Sequence, residues 1–492
     1  MGQLTEKHPS FVEMSPIYKL MDDSYGGAAV IKAAGSRYLR PTYSMTIDNC
    51  GTCNSKGTYN YESYKHRANY PEYVKEGVNN MVGLMHSKPC VFQLPKEMEY
   101  LLTDASAFGE PLDFVLRKLN FYQLLHARVL LVVDLPAKAS TDLRPYIAIY
   151  VATRVTNWHD NVREDGRANL DLIVIDECGQ EFNAETFAWQ DKTQYRVLQL
   201  IDGVYKQGVF DSDAYDAAQM KEIRISGATS DKIPAVFCTD ANVTTEVRES
   251  PLKWLADMCL SIYGSDADYR QNLHMQGQDT LVVKNYSGAK DDDIRTGAGA
   301  VIYVDGTDGD AKYIGVESSG LSEQAKAIDN DKQEAAYRAG QFIGTKQAAQ
   351  ESNEAMQTRI AARTITLADV ADAGAEALTQ VLTIIAEWMK IKSPNILVKP
   401  NKDFARKTIS GQDLVQIVTA RNQGAPISKQ SIHSYMAENG LTTMTYEQEL
   451  ALVKTEEPGE VPPLMEEAAK SEGGTDLDKT PTVARTDVDS RN

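Results

Sequence analysis

Six cysteines in 492 residues are too few to build a disulfide framework. Cys90, Cys178, Cys238 and Cys259 each stand alone in apolar or mixed surroundings, so they read as small core residues in a chain kept reduced. Long hydrophobic runs are equally scarce. The run Val129 to Val133 has the length of a strand and falls far short of the roughly 20 residues a membrane span requires. The polar opening MGQLTEKHPS has no apolar signal-peptide core, and Glu6 stands where a myristoylation signal carries Ser or Thr; the expectation is a soluble, intracellular product. Positive charge is also in deficit. With 51 Lys and Arg against 69 Asp and Glu the formal charge is −18, which argues against broad adhesion to nucleic acid. What remains is a globular composition, 42% hydrophobic, with room for about three domains.

Catalytic signatures are missing in the same way. Asp171 to Asp176 followed by Glu177 has the form of a Walker B segment, in which an acidic side chain holds Mg²⁺ beside a nucleotide. That reading needs a phosphate loop, and no G-x-x-x-x-G-K-[ST] occurs; Gly340 to Lys346 has the wrong spacing and closes a helical pattern instead of following a strand. A strand ending in a charged turn is the simpler reading. Cys50-Gly51-Thr52-Cys53 could clamp zinc or exchange thiols, yet no second pair accompanies it and its flanks read as loop. Asp305 to Asp310, DGTDGD, lacks the sixth-position Gly of a calcium loop and has Val316 at the acidic twelfth position, so it reads as a hairpin turn. Seven histidines are scattered with no H-x-x-x-H pair and no G-x-S-x-G elbow beside them. The expectation is a non-enzyme with no catalytic residue, metal or cofactor.

What the chain does have is a distinctive order of elements. Ser250 can cap a helix and Pro251 suits its first position, after which Leu252, Leu255, Cys259, Ile262, Tyr269 and Leu273 recur on one face. That face is roughly 30–35 Å long and is interrupted only by Asp266. Gly264 beside the interruption costs about 1 kcal/mol relative to Ala, which predicts a bend or a closely packed neighbour. Strand-like Thr280 to Lys284 and Ala300 to Val304 follow, separated by Gly288, the triplet Asp291, Asp292, Asp293 and a Gly297-Ala298-Gly299 hinge. A second helix opens at Ser322 and runs to about Phe342, with Ala325, Ile328, Ala335, Ala339 and Phe342 on one side. Beyond a polar stretch from Gly344 to Asn353, Leu367, Ala371, Gly374, Leu378, Val381, Ile385 and Trp388 mark a long third helix that ends before Ser393-Pro394.

The flanks complete an α+β chain. Gln3 to Asp23 is rich in turn residues, Tyr61 to His86 has one helical periodicity, and Leu112 to Leu125 continues it. Then Val129 to Asp134, Tyr146 to Thr153, Leu170 to Ile175, Tyr195 to Leu200 and Val204 to Val209 read as an antiparallel meander, with Glu222 to Ile225 and Ala235 to Cys238 as further candidates. The last two of the five join through Asp202-Gly203, a strong hairpin signal. After Trp388 come a strand from Asn395 to Lys399, a helix from about Gln412 to Asn422 stopped by Gly424, and another from Lys429 to Asn439 capped by Ser428 and stopped by Gly440. From residue 456 the composition cannot bury enough surface to order itself, and an acidic disordered tail is expected.

This order of parts resembles the core of a tailed-bacteriophage portal protein, the head-to-tail connector. ESPLKWLADMCLSIYGSDADYRQNLHMQG looks like the first stem helix, LVVKNYSG through AKYIGVE like the clip, and LSEQAKAIDNDKQEAAYRAGQFIG like the second stem helix. TKQAAQESN looks like the tunnel loop, and RPYIAIYVATRVTNW, QYRVLQLIDGVY and APISKQSIHSYMAENGL with the following EQEL resemble one portal branch. The resemblance implies a wing over 1–249, stem helix 1 over 250–276, clip over 277–319, stem helix 2 over 320–343, tunnel loop over 344–354, a long kinked wing helix over 355–394 and an α-rich crown over 395–455, before the tail over 456–492.

It also implies a ring, usually of about twelve copies, at one capsid vertex of the virion, assembled in the host cytoplasm. The ring would pass double-stranded DNA during packaging and ejection, and would dock the terminase large subunit and then head-completion, adaptor and tail proteins. Major capsid and scaffolding proteins are the other implied partners; a membrane is not. Lys326, Lys332, Arg338 and Lys346 become candidate channel-facing cations, and Asp291, Asp292 and Asp293 the candidate clip interface with the motor. A DNA-packaging enzyme driven by nucleotide through Asp176 and Glu177 is the alternative, lacking its phosphate loop.

Overall fold

The computed structural model describes residues 3–136, 144–162, 168–225, 228–276, 280–285, 304, 306–314, 319–339, 353–402, 404, 411–438, 441–442 and 444–455. The chain divides into two compact units, Met1–Ala405 and Arg406–Asn492. It is a mixed α+β protein whose paired strands are all antiparallel.

His8 starts the first helix: its Nδ1 accepts the Ser10 amide at 3.2 Å, and Pro9 takes the position whose amide would be orphaned. Helix α1, Pro9–Gly26, therefore occupies a stretch whose turn residues suggested otherwise. Phe11, Met14, Tyr18 and Met21 bury one face of it at helical spacing, and that burial outweighs local preference. Short helices α2, Ala28–Ala33, and α3, Tyr43–Ile47, lead to α4, Lys56–Arg67, and α5, Tyr73–Met85. The single periodicity read from Tyr61 to His86 is thus two helices. Pro71 lies between them, and proline restricts the residue before it to extended backbone.

Strand β1, Val91–Gln93, precedes α6, Leu112–His126, and the β-rich part follows. It contains β2, Arg128–Asp134; β3, Tyr146–Val151; β4, Val155–Val162; β5, Ala168–Asp176; β6, Gly179–Asn183; β7, Ala188–Lys192; β8, Tyr195–Ile201; and β9, Val204–Phe210. The short β10, Lys221–Glu222, β11, Arg224–Ile225, and β12, Ala228–Thr229, lead to β13, Ala235–Thr239. The expected single meander resolves into a five-stranded sheet, β10-β9-β8-β5-β4, and a three-stranded sheet, β13-β2-β3. Strands β6 and β7 form a separate hairpin.

Strand β2 explains the split. Its side chains alternate between two cores: Val129, Leu131 and Val133 pack with apolar residues of α6 and the later long helix, while Leu130 and Val132 pack with Trp158, Ile173 and Leu198 of the five-stranded sheet. An apolar run on a strand covered from both sides has no solvent face, which is why it read as continuous.

Beyond β13 lie α7, Lys253–Gln276; β14, Thr280–Lys284; β15, Asp310–Ile314; α8, Ser319–Arg338; and α9, Asn353–Trp388. Helix α9 is uninterrupted, and Leu367, Ala371, Leu378, Val381, Ile385 and Trp388 are buried along it. Strand β16, Leu397–Lys399, pairs with β1 inside the first unit. The second unit holds α10, Gly411–Asn422, α11, Lys429–Glu438, and α12, Tyr446–Thr455. Ser428 Oγ accepts the Ser431 amide at 2.9 Å, and Gly424 takes φ +103 after α10, as the cap and stop residues predict. Helix α12 escaped the sequence reading despite a capping box: Thr445 Oγ1 accepts the Gln448 amide, and Gln448 Oε1 accepts the Thr445 amide.

Candidate functional site

The segment from Ser250 to Trp388 is built from its caps outward. Ser250 Oγ accepts the Leu252 amide at 3.0 Å and donates to the Leu124 carbonyl at 2.7 Å, so one hydroxyl both caps α7 and ties its start to the end of α6. Leu252, Leu255, Cys259 and Ile262 are buried as their spacing required, together with Ala256, Tyr263 and Ala267. The apolar face stops there. Tyr269 is half-buried, while Leu273 and Met275 are 47% and 67% exposed.

Helices α7 and α8 run antiparallel. Asn272 meets Gln324, Asp266 meets Lys332 and Trp254 meets Arg338, so positions rise on one helix as they fall on the other. Strands β14 and β15 pair from Thr280↔Ile314 to Lys284↔Asp310 and form the ribbon that joins the two rods. The partner of β14 is therefore β15; most of the strand expected over Ala300 to Val304 lies outside the described residues. At 1.5 Å per residue α7 is about 36 Å long and α8 about 30 Å.

Asp266, the polar interruption, is an anchor. Its side chain is 3% exposed, Oδ2 accepts Arg270 Nε at 2.7 Å and the Asn69 amide at 2.8 Å, and Oδ1 lies 3.8 Å from Lys332 Nζ. One carboxylate thus binds α7, α8 and the segment between α4 and α5. Gly264 beside it neither breaks α7 nor receives a neighbour within the chain: a Cβ built there meets nothing within 4 Å.

The candidate cations sit six residues apart, one and two-thirds turns, so they do not share a face. Lys326 is exposed and pairs with Glu323 at 2.7 Å. Lys332 is half-buried against Asp266. Arg338 pairs with Glu334 at 2.7 Å and stacks over the Trp254 ring at 3.8 Å. Lys346, Asp291, Asp292 and Asp293 lie outside the described residues.

The Walker-like carboxylates are held by protein donors. Glu177 accepts Arg196 Nε at 2.8 Å, Tyr150 OH at 2.7 Å and Gln194 Nε2 at 2.6 Å, while Arg196 reaches Asp134 at 2.7 Å, joining the two sheets. Asp176 Oδ1 accepts the Cys178 amide at 2.9 Å. Cys50 and Cys53 are both free thiols on a turn that contains Gly51 at φ +95.

A family model described as a domain of unknown function, DUF4055, matches residues 251–389. Those bounds coincide with the run from the α7 cap to the end of α9. Among solved structures, a chain of the "neck of empty GTA particle computed with C6 symmetry" is similar at 14% identity and a TM-score of 0.41, over 81% of this chain and 98% of that one. No curated protein matches the sequence.

Sequence reasoning missed two buried groups outside this segment. Arg128 is 1% exposed, with its guanidinium 3.7 Å from the Trp158 ring and 4.2 Å from that of Phe237, while His8 stacks on Trp158 at 3.9 Å. Burial lowers the Arg128 pKa to about 10. Its position as the first residue of an apolar strand was the available signal. His86, the other, is taken up below. Among the described residues no helix is long and apolar enough to cross a membrane.

Proposed function

We propose that this chain is a portal-type connector subunit that closes into a ring of about twelve copies at a capsid vertex and passes double-stranded DNA. The reading rests on the sequence resemblance, and the observation that supports it best is the α7–α8 hairpin. Its inner half is anchored by Asp266 and a buried face, while its outer half leaves Leu273 and Met275 uncovered. Apolar side chains exposed on a projecting rod are what a neighbouring copy would bury.

The charge arrangement suits passage of a polyanion. Each described cation of α8 considered above has a carboxylate beside it, so phosphates would meet compensated charge. With −18 per chain, the wall as a whole would not trap DNA. In this reading Lys326 and Lys346 remain the candidate phosphate contacts, and Asp291 to Asp293 the candidate surface for the terminase motor and later the adaptor and tail proteins. The role is mechanical, and no residue is assigned to catalysis.

The purified full chain, placed in assembly conditions, should form closed rings of roughly 650 kDa from subunits of 54.4 kDa, read by mass photometry and negative-stain imaging. A monomer under every condition tried would remove the proposal. ATP hydrolysis lost on Asp176→Ala would instead favour the packaging-enzyme alternative.

A further inference from the structure

Far along the chain from the hairpin segment, three elements bring a mixed set of donor groups together. His86 closes α5, Cys90 immediately precedes β1, and Asp113 lies in the first turn of α6. One ligand-type atom of each lies within 4.8 Å of the other two. The turn that carries His86 and Cys90 is pinned from outside: Asn401 Nδ2 donates to the Leu84 carbonyl at 3.3 Å and to Ser87 Oγ at 3.1 Å.

The imidazole decides what the cluster can do. His86 is 4% exposed, and its Nδ1, 3.9 Å from Asp113 Oδ1, has no hydrogen-bond partner although it is buried. The other nitrogen, Nε2, lies 3.0 Å from Asn120 Oδ1. The Asn120 amide is itself oriented, since its Nδ2 donates to Gln123 Oε1 at 2.8 Å while Gln123 Nε2 donates to the Thr239 carbonyl at 2.6 Å. Asn120 Oδ1 can only accept, so Nε2 carries the ring proton and Nδ1 presents a bare lone pair beside a thiol and a carboxylate. A histidine whose far nitrogen is held by a hydrogen-bond acceptor is how proteins set up a metal ligand.

We propose that His86 Nδ1, Cys90 Sγ and the Asp113 carboxylate bind one borderline divalent cation of the Zn²⁺ class, with solvent in the fourth position. Thiolate, imidazole and carboxylate together suit that class, and three protein donors plus an open position is a common zinc arrangement. Zinc-to-ligand distances of about 2.0–2.3 Å place tetrahedral donors about 3.5 Å apart, so the three atoms close by roughly 1 Å on binding. Asp113 makes this feasible, because its side chain is 56% exposed and free to change rotamer. Asn120 is a positioning residue. The ion would fasten the end of α5, the start of β1 and the first turn of α6, and it is independent of the connector reading.

The test uses the metal-stripped full chain carrying Cys50→Ser and Cys53→Ser, titrated with Co²⁺ as the spectroscopic probe. We expect one Co²⁺ per chain with thiolate-to-metal charge-transfer absorption, the band lost in Cys90→Ser and affinity weakened about tenfold or more in Asp113→Asn and in Asn120→Ala. The exposed Asp113 guarantees one variant that leaves the fold intact. A measurement without variants accompanies it: Zn²⁺ should slow alkylation of Cys90, mapped by mass spectrometry, while Cys178 labels at its metal-free rate. A charge-transfer band that survives Cys90→Ser, Co²⁺ binding without the band, or Cys90 alkylation indifferent to Zn²⁺ would each overturn the assignment.

Discussion

Asp266 sits in the apolar face of α7 where an unpaired carboxylate would be prohibitive, and it is tolerated because an arginine, a lysine and a backbone amide surround it. Arg270 and Lys332 are each more than one-third exposed and can turn to water, so what Asp266→Ala strands is chiefly the Asn69 amide. The expected loss is about 1–3 kcal/mol, read by urea unfolding. Asp257→Ala, which breaks the exposed pair with Lys253, should change stability by no more than about 0.5 kcal/mol, and equal losses at the two sites would contradict the anchor role.

The tyrosines of the same core give a pH prediction. Burial pushes Tyr61 and Tyr263 up to about 12, and Tyr64, which donates to Asp268 at 2.6 Å, is raised by burial and that carboxylate. A raised phenol ionises first in the unfolded chain, so its stabilisation is complete below pH 10 and drains away as pH climbs to about 12. Alkaline unfolding should therefore fall in that window, with a delayed step of tyrosinate absorbance coinciding with loss of helical circular dichroism. Tyrosinate forming in one step near pH 10 with helix retained would refute the coupling.

Among the elements, α9 is the best predicted and the most tightly constrained. A Cβ on Gly374 would lie 2.6 Å from Asn120 Nδ2 and 2.9 Å from Gln123 Oε1, both locked in the buried amide network that orients His86. Gly374→Ala should cost about 1–3 kcal/mol by thermal or urea unfolding. Gly264→Ala should do the opposite in the unassembled chain, raising stability by up to about 1 kcal/mol, because the added methyl meets open space in a continuous helix. Equal signs at the two glycines would show that the crossing of α6 and α9 is looser than its geometry.

For the whole molecule, the connector reading places the stability of the chain and the assembly of the ring in different residues. Leu273→Ser with Met275→Ser removes exposed apolar surface, so the melting temperature of the unassembled chain should barely move while the ring fraction in mass photometry falls. Intact rings from that double variant would exclude the outer half of the hairpin from the subunit contact. Subunits of −18 also repel one another, and ring yield should rise with ionic strength as that repulsion is screened.

Local signals in the sequence determined the elements themselves. The Ser250 cap, the buried stripe of α9, the antiparallel β8–β9 hairpin at Asp202-Gly203 and the helix stop at Gly424 all follow from neighbours a few residues apart. Strand β4 went unread because register shifts at Val155/Asn157 and His159/Asp160 break its alternation, and β6 and β7 because they are exposed throughout apart from Asn183 and Lys192. Only the tertiary structure decided that the strands form two sheets, since β13 pairs with β2 across about a hundred residues of intervening chain. It alone turned Asp266 from a flaw in a periodic face into an anchor, directed Lys332 onto it, and gathered His86, Cys90 and Asp113 from three elements. Periodicity reports which face of an element is buried, whereas the partner that buries or neutralises it comes from elsewhere in the chain, and no local pattern encodes that pairing.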